Sequence, residues 1–234
     1  MISNNFILLF YIMPTKILIC GYSHCGTTIL KSIIGHIEGV EEILEETDKI
    51  SKTTTKPYML CKIPRTKSEY FGKAYENYIK IFIIRNPLYV FSSINKRLGH
   101  YNLSTYHSID NFINVVKLFN RYKSSPLKNV YTIRYEDIFL NDYKELKNIL
   151  DNIGMKYDNT IFNNKEYTNF LYKNSGIPEE KPNNKKHCAY RSWQINQPFV
   201  SNNDPSKIDL SESQRQKIIN NKDILNLYPD IKTT

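Results

Sequence analysis

The residues from Gly21 to Thr28 have the types and the spacing of a loop that binds a phosphate group. Gly21 and Gly26 enclose four residues, and Thr27 and Thr28 follow directly. Glycine-rich loops ahead of a helix point successive backbone N–H groups at an anion, and glycine lets the backbone approach it without a Cβ in the way. We therefore predict a phosphate cradle. The alternative is an ordinary strand-to-helix turn, because short motifs also match by chance.

The same glycine spacing occurs in Walker A loops, but the residues after Gly26 differ. Walker A requires a lysine followed by serine or threonine, whereas this chain has Thr27 and Thr28. A P-loop kinase would need that lysine for the triphosphate, together with ligands for Mg²⁺. We find neither in the sequence, so a kinase is the weakest of the functional alternatives.

Apolar runs of strand length lie before the loop and again further along the chain. The run Ile17–Cys20 precedes the loop, and helical spacing of apolar residues begins at Thr28. Further strands are predicted at Pro57–Pro64, Ile79–Ile84 and Asn129–Arg134. Nearly continuous apolar runs are typical of parallel strands that are buried on both faces. The pattern predicts an α/β fold with a central parallel sheet flanked by helices.

Helices are also predicted where a capping residue precedes a run with helical spacing. They are the helix that follows Asn86 and Pro87, the helix Ser108–Tyr122 capped by Ser108, the helix Asp142–Ile153 with Asp142 and Glu145 as a capping pair, and a final helix capped by Ser211 with Gln214 three residues on. These helices supply the layers that cover the predicted sheet.

The length of 234 residues suits one α/β domain. We predict a single domain over residues 16–234, preceded by an N-terminal extension of residues 1–15. The apolar run Phe6–Met13 is far shorter than the roughly 20 residues that span a bilayer, so no membrane span is expected.

The charge balance favours an anionic partner. The chain has 32 Lys and Arg against 23 Asp and Glu, a formal net charge of +9. Charge alone does not separate nucleic acid, membrane surface and a phosphorylated small molecule. No run of five basic residues occurs, so most basic residues are expected to form a solvated surface.

The cysteines indicate a reducing compartment, and we expect the protein in the cytoplasm. Cys20, Cys25, Cys61 and Cys188 show no C-x-x-C spacing, which argues against a disulfide framework. Two His-Cys pairs, at His24 and His187, could in principle supply four metal ligands. Adjacent ligands rarely reach one tetrahedral ion, so we expect no metal.

Two stretches resemble signature motifs of sulfotransferases that use 3′-phosphoadenosine-5′-phosphosulfate (PAPS). The loop from Gly21 to Thr28 reads G-Y-S-H-C-G-T-T, and the family's phosphosulfate loop usually reads G-Y-P-K-S-G-T-T or G-x-x-R-S-G-T-T ahead of a helix. The stretch R-N-P-L-Y-V-F-S-S begins at Arg85 and resembles the family's R-N-P-x-D-x-x-x-S signature. In it Ser93 matches and Tyr89 replaces the aspartate.

A third stretch, Tyr135-Glu136-Asp137, resembles the family's Y-E-D-L block, so the motifs follow the family's chain order. The resemblance implies a P-loop-like sulfotransferase fold. It also implies transfer of a sulfuryl group from PAPS to a hydroxyl or amine acceptor, with 3′,5′-ADP (PAP) as the product and no metal.

The resemblance also implies which residues hold the cofactor. In the family the loop binds the 5′-phosphate end, the Arg and Ser of the second signature bind the 3′-phosphate, and the tyrosine lies near the adenine. The R-S-W-Q stretch looks like the family's C-terminal closing loop and adds an arginine. The implied set is Ser23, His24, Cys25, Gly26, Thr27, Thr28, Arg85, Ser93, Tyr135 and Arg191.

A candidate for the catalytic base lies after the first helix. Glu45-Glu46-Thr47 resembles the segment that supplies the acceptor-activating carboxylate in protein-tyrosine sulfotransferases. The resemblance implies that Glu45 or Glu46 takes the acceptor proton, without choosing between them. The carboxylates just before them, Glu41 and Glu42, are expected on a solvated acidic helix or turn.

Lys62 ends the second predicted strand, where cytosolic small-molecule sulfotransferases have K-x-H. Pro64 replaces the histidine that serves as base in those enzymes. The resemblance implies that Lys62 approaches the transferring sulfuryl group, which makes it a candidate catalytic residue. The alternative is a solvated lysine at a strand end.

His24 stands where the family's loop has lysine or arginine. An ordinary histidine, with a pKa near roughly 6.5, is cationic only part of the time at neutral pH. We expect the cofactor phosphates to favour the imidazolium, so that His24 neutralises the leaving oxygen. The alternative is a neutral His24 that packs or donates a hydrogen bond within the loop.

The sequence therefore predicts a PAPS-dependent sulfotransferase whose partners are an anionic nucleotide and an unidentified hydroxyl or amine acceptor. We do not expect nucleic acid as a partner. Because the loop has His24 in place of the usual cation, a non-catalytic binder is the main rival. It would be either a degenerate protein of the same fold or a basic nucleic-acid module.

Overall fold

A five-stranded parallel sheet forms the centre of the protein. The computed structural model describes residues 13–51, 53–99, 105–163 and 198–232. The strands are β1 (Thr15–Gly21), β2 (Val40–Glu46), β3 (Tyr58–Ile63), β4 (Tyr78–Ile84) and β5 (Val130–Arg134), and their order in the sheet is β2-β3-β1-β4-β5. All four pairings are parallel. The predicted α/β fold with a central parallel sheet is confirmed.

Helices cover both faces of this sheet. They are α1 (Thr27–Gly35), α2 (Pro87–Leu98), α3 (Ile109–Ser124), α4 (Tyr135–Ile138), α5 (Lys144–Ile153), α6 (Glu212–Ile219) and α7 (Lys222–Leu227). One core packs α1 and α5 on Ile17, Ile19, Ile81 and Ile83, and the other packs α2, α3, α6 and α7 on Leu18, Cys20, Phe82 and Ile84. Successive side chains of a strand point to opposite faces, which explains why these strands read as unbroken apolar runs. None of the helices within the described ranges is long and apolar enough to cross a membrane.

Three of the predicted helix starts are confirmed by their caps. The side chain of Asn86 accepts a hydrogen bond from the backbone N–H of Leu88, and that of Ser108 accepts one from Asn111. Ser211 and Gln214 form a reciprocal capping box at the start of α6. This helix is not the final one, however, because α7 follows it.

The predicted capping pair of Asp142 and Glu145 is wrong. Helix α5 begins at Lys144, and no side chain caps it within the described residues. Asn141, Asp142 and Tyr143 all have positive φ angles, of 49°, 56° and 60°. In this left-handed turn the Asp142 carboxylate accepts a hydrogen bond from Lys147 instead.

The segment with Glu41 and Glu42 is an edge strand, β2, and not the expected solvated helix or turn. Its residues Val40 and Ile43 are buried. The Glu42 carboxylate lies 3.5 Å from Lys31 Nζ, and both side chains are at most 10% exposed. A strand with a neighbour on one side only buries few residues, so its apolar signal in the sequence is weak.

The strand order creates a crevice at one edge of the sheet. From β1 the chain moves to β2 and β3 on one side, and it then crosses to β4 and β5 on the other side. Open α/β sheets bind ligands at the carboxyl ends of the strands where the direction of winding reverses. Here that point lies at the carboxyl ends of β1, β3 and β4.

Candidate functional site

The loop after β1 packs so tightly that only glycine fits at its two ends. A Cβ on Gly21 would lie 2.4 Å from the backbone oxygen of Ile83, and a Cβ on Gly26 would lie 2.4 Å from the ring of Tyr135. Gly26 also has a φ of +94°, a conformation that L side chains rarely adopt. His24, between them, has a φ of 63°. The loop therefore lies directly against β4 and Tyr135.

The N-terminus of α1 provides a site for an anion. In the part of the chain that the structure describes, α1 begins without a side-chain cap and without an acidic residue in its first turn. The first N–H groups of a helix have no partner within the helix, and they carry the positive end of its dipole. Left-handed residues just ahead of a helix make concave arrangements of N–H groups that bind anions. These features fit a phosphate group at the loop.

Lys62 at the end of β3 is buried and paired. It is 2% exposed, and its Nζ donates hydrogen bonds to Glu46 Oε1 at 2.6 Å and to Thr28 Oγ1 at 2.9 Å. The register of β2 on β3 shifts between Glu42 and Glu46, and this shift aligns Glu46 with Lys62. The solvated alternative for Lys62 is therefore wrong. Both candidate bases are exposed residues, and Glu46 is the one that contacts Lys62.

Arg85 at the end of β4 is held by neutral groups. Its side chain is largely buried, and its guanidinium donates from Nε to Asn203 Oδ1 at 2.8 Å and from Nη2 to Asn202 Oδ1 at 2.7 Å. Nη1 donates to the backbone oxygen of His24 at 3.3 Å. The guanidinium carbon lies 4.4 Å from the centre of the Tyr135 ring. Arg85 thus lies beside the phosphate loop.

Tyr135 and Glu136 fix the segment that contacts Arg85. The Tyr135 hydroxyl donates to Asn202 Oδ1 at 2.9 Å and accepts from the Asn202 N–H at 3.1 Å. Glu136 Oε1 accepts hydrogen bonds from Asn203 Nδ2 at 3.0 Å and from the backbone N–H of Asn86 at 2.9 Å. Asn202 and Asn203 were not predicted from the sequence, because they belong to no motif and lie far from Arg85 in the chain.

His24 is hydrogen-bonded to Ser93, which links the phosphate loop to α2. The distance between His24 Nδ1 and Ser93 Oγ is 2.7 Å. Burial, followed by the positive charges of Arg97, His107, Arg85 and Lys62, lowers the pKa of His24 to about 3. These protein groups favour the neutral imidazole, and the effect of the cofactor phosphates on His24 stays a prediction.

Ser23 and Cys25 connect the loop to its surroundings. Ser23 Oγ donates to the Pro64 backbone oxygen at 3.2 Å, and the same oxygen accepts from the Tyr106 hydroxyl at 2.6 Å. The Cys25 side chain is fully buried, and burial raises the pKa of its thiol to about 12. Its thiol is therefore part of the core. Arg191, His187 and Cys188 lie outside the described residues.

Sequence comparison finds no counterpart, since neither a family model nor a curated protein matches the chain. The fold does match solved structures. The mouse sulfotransferase SULT7A1 complexed with PAP is 15% identical, with a TM-score of 0.58 over 94% of this chain and 89% of that one. Retinol dehydratase in complex with retinol and PAP is 14% identical, with a TM-score of 0.51 over 94% of this chain and 81% of that one. The predicted P-loop-like sulfotransferase fold is confirmed.

Proposed function

Because the chain has the sulfotransferase fold, we propose that it transfers a sulfuryl group from PAPS to a hydroxyl or amine acceptor. One observation carries the proposal. A buried arginine, Arg85, lies beside a glycine-bounded loop at the N-terminus of a helix, at the edge of the sheet where such folds bind ligands. The loop offers backbone N–H donors and Arg85 offers a fixed positive charge, which suits a nucleotide with two separate phosphate groups.

The residues present fit such a cofactor. Backbone N–H groups of the loop, with Thr27 and Thr28, would hold its 5′-phosphosulfate end. Arg85 and Ser93 would hold its 3′-phosphate, since an arginine fork can donate two hydrogen bonds to one phosphate. Tyr135 would lie on the adenine side, and Arg191 would add a further phosphate ligand. When bound, the cofactor supplies an activated sulfuryl group.

Glu46 is the proposed base, and Lys62 is the proposed cation beside it. Glu46 would take the proton from the acceptor O–H or N–H, while the sulfuryl group would pass to the acceptor atom from the bridging oxygen of the cofactor, which would keep the bonding electron pair. Lys62 contacts both Glu46 and Thr28, so its charge lies between the base and the loop. A cation at that point stabilises negative charge that develops on the leaving oxygen. His24 is proposed as a neutral hydrogen-bond partner of Ser93.

Binding of the expected product tests the proposal. A ligand that binds the native state raises the melting temperature. We expect 3′,5′-ADP to raise it more than 5′-AMP, ATP or a single-stranded oligonucleotide at the same concentration. No shift with 3′,5′-ADP would overturn the proposal, and a shift with ATP or the oligonucleotide alone would support the kinase or the nucleic-acid module.

Transfer activity separates an enzyme from a degenerate binder. The chain is incubated with PAPS labelled with ³⁵S and with panels of phenols, alcohols, carbohydrates, peptides and amines. Label is expected in one acceptor class, and Arg85→Ala serves as the control with impaired cofactor binding. Tight binding of 3′,5′-ADP without transfer to any class would favour the degenerate binder.

We also propose a cytoplasmic location. Cys20, Cys25 and Cys61 are buried free thiols. Free cysteines are typical of reducing compartments.

A further inference from the structure

Two carboxamides accept hydrogen bonds from two nitrogens of the Arg85 guanidinium. An arginine has five N–H donors, and three of those of Arg85 donate to acceptors within the described part of the chain. Asn203 accepts the Nε–H and Asn202 accepts one of the two Nη2–H groups. The third bond runs from Nη1 to the backbone oxygen of His24. All three acceptors are neutral oxygens.

The two carboxamides are themselves fixed by residues that follow β5. Asn202 exchanges two hydrogen bonds with the Tyr135 hydroxyl, and the Tyr135 ring lies against the guanidinium. Asn203 donates to Glu136, whose Oε1 also accepts from a backbone N–H. Each asparagine therefore joins Arg85 to an anchored partner, and the guanidinium has a defined orientation.

A neutral acceptor has a different electrostatic effect from a carboxylate. A carboxylate at either position would form an ion pair with Arg85 and cancel most of its charge. An amide oxygen accepts the same hydrogen bond and leaves the guanidinium with its full positive charge. Asn203 also separates Arg85 from Glu136, because its amide bonds the carboxylate on one side and the guanidinium on the other.

We propose that Asn202 and Asn203 are positioning residues that orient Arg85 and preserve its charge, and that they thereby set the preference of the site for a 3′-phosphorylated nucleotide. This inference rests on the proposed function. The two N–H groups beyond these three bonds are the donors that Arg85 offers to the phosphate.

The test compares two nucleotides that differ only in the 3′-phosphate. Dissociation constants for 3′,5′-ADP and 5′-AMP are measured by calorimetry for the wild type, Asn202→Asp, Asn203→Asp and Asn202→Ala. Because an Asp carboxylate would pair with the guanidinium and weaken its attraction for the 3′-phosphate, each Asp variant should reduce the preference for 3′,5′-ADP roughly 10-fold or more. Asn202→Ala should reduce it less, and the exposed control Asn152→Ala should leave it unchanged.

A double variant shows whether the effect passes through Arg85. In the Arg85→Ala background, Asn202→Asp should change the ratio of the two dissociation constants no further, because residues that act through one group are not additive. Asp is nearly isosteric with Asn, and melting curves without ligand identify any variant that fails to fold. If an Asp variant does not fold, Asn202→Ala, which adds no charge, tests the inference in its place.

The outcomes separate this inference from the proposed function. If the wild type shows no preference for 3′,5′-ADP, both fail. If the wild type has the preference and the Asp variants keep it, only the inference fails. If Asn202→Ala binds 3′,5′-ADP more tightly than the wild type, the carboxamides compete with the phosphate and the positioning role is overturned.

Discussion

Two buried cations lie at the same edge of the sheet, but their surroundings neutralise them to different degrees. Lys62, at the end of β3, contacts the Glu46 carboxylate at 2.6 Å. Arg85, at the end of β4, contacts carboxamide and carbonyl oxygens and an aromatic ring. The β3 end is therefore a direct ion pair, whereas at the β4 end the Glu136 carboxylate bonds Asn203 and a backbone N–H instead of Arg85.

The difference indicates a division of tasks along the crevice. A buried charge is costly unless it is paired or well hydrogen-bonded. At the β3 end, pairing satisfies this requirement and leaves a carboxylate, one-third exposed, beside the loop. At the β4 end, hydrogen bonds satisfy it without pairing, so the charge is available to an incoming anion. In our proposal the first end moves a proton and the second binds a phosphate.

Removing the carboxylate at the β3 end should have the largest effect. We expect Glu46→Gln to lower sulfuryl transfer by about 10²- to 10⁴-fold, which is the usual loss for a general base. The dissociation constant for 3′,5′-ADP should change little, because the amide still accepts a hydrogen bond from Lys62. Initial rates and calorimetry measure the two quantities. The matched control is Glu45→Gln, and equal losses in both variants would contradict the choice of Glu46.

Removing the charge at the β4 end should affect binding. We expect Arg85→Ala to weaken 3′,5′-ADP by roughly 10- to 100-fold, the equivalent of a charged hydrogen bond, and to weaken 5′-AMP far less. The affinity of Arg85→Lys for 3′,5′-ADP should lie between those of the wild type and Arg85→Ala, because lysine keeps the charge without the planar fork. Equal losses for both nucleotides in calorimetry would remove the 3′-phosphate from this end.

The packing under Arg85 can be tested with two glycines. Gly26 and Gly154 both have positive φ, of 94° and 79°, but only Gly26 lies against a ring, that of Tyr135. Gly154→Ala should cost about 1 to 2 kcal/mol of unfolding free energy from backbone strain. Gly26→Ala should cost a further amount of about 1 to 3 kcal/mol from overpacking. Urea denaturation of both variants measures the difference in unfolding free energy. Equal losses in the two variants would mean that the Tyr135 ring moves away from the added methyl group.

The smallest predicted effect concerns pH. The folded-state pKa of His24 is lowered from 6.5 to about 3, so between these values the unfolded chain binds more protons. Stability therefore falls as the pH falls below about 6.5. His24→Asn removes the titration and tolerates the left-handed backbone, so it should reduce the loss of unfolding free energy between pH 6 and pH 5 by about 1 kcal/mol.

Burial also lowers the pKa of His107, so part of this acid destabilisation should persist in His24→Asn. His107→Asn is the matched control for that part. An unchanged pH dependence of stability in His24→Asn would contradict a neutral, buried His24.

Local sequence patterns predicted most of the fold because the relevant signals are short-range. The strands buried on both faces read as apolar runs, and Asn86, Ser108 and Ser211 cap helices within three residues of themselves. Strand β2 was missed because this edge strand buries only two of its residues, Val40 and Ile43. The start of α5 was predicted wrongly. Asn141, Asp142 and Tyr143 form a left-handed turn, and without a glycine their residue types do not predict one.

The candidate site, too, was predictable only where its signals are short-range. The loop glycines, Lys62 and Arg85 lie at strand ends or in the loop after β1, so their places at the sheet edge could be predicted from neighbouring residues. The contact between Glu46 and Lys62 depends on a shift of strand register, which short-range patterns do not encode. Asn202 and Asn203 approach Arg85 only through the tertiary fold, and asparagine is common in this chain.

The bond between Arg85 and Asn202 joins residues that are 117 positions apart. Contacts over such distances form late in folding, because the entropy of closing a long loop must be overcome first. Interactions that are absent from the folding transition state act mainly on the rate of unfolding. We therefore expect the bonds of Arg85 to the two asparagines to affect the rate of unfolding more than the rate of folding, and we expect a nucleotide bound there to lengthen the lifetime of the folded chain.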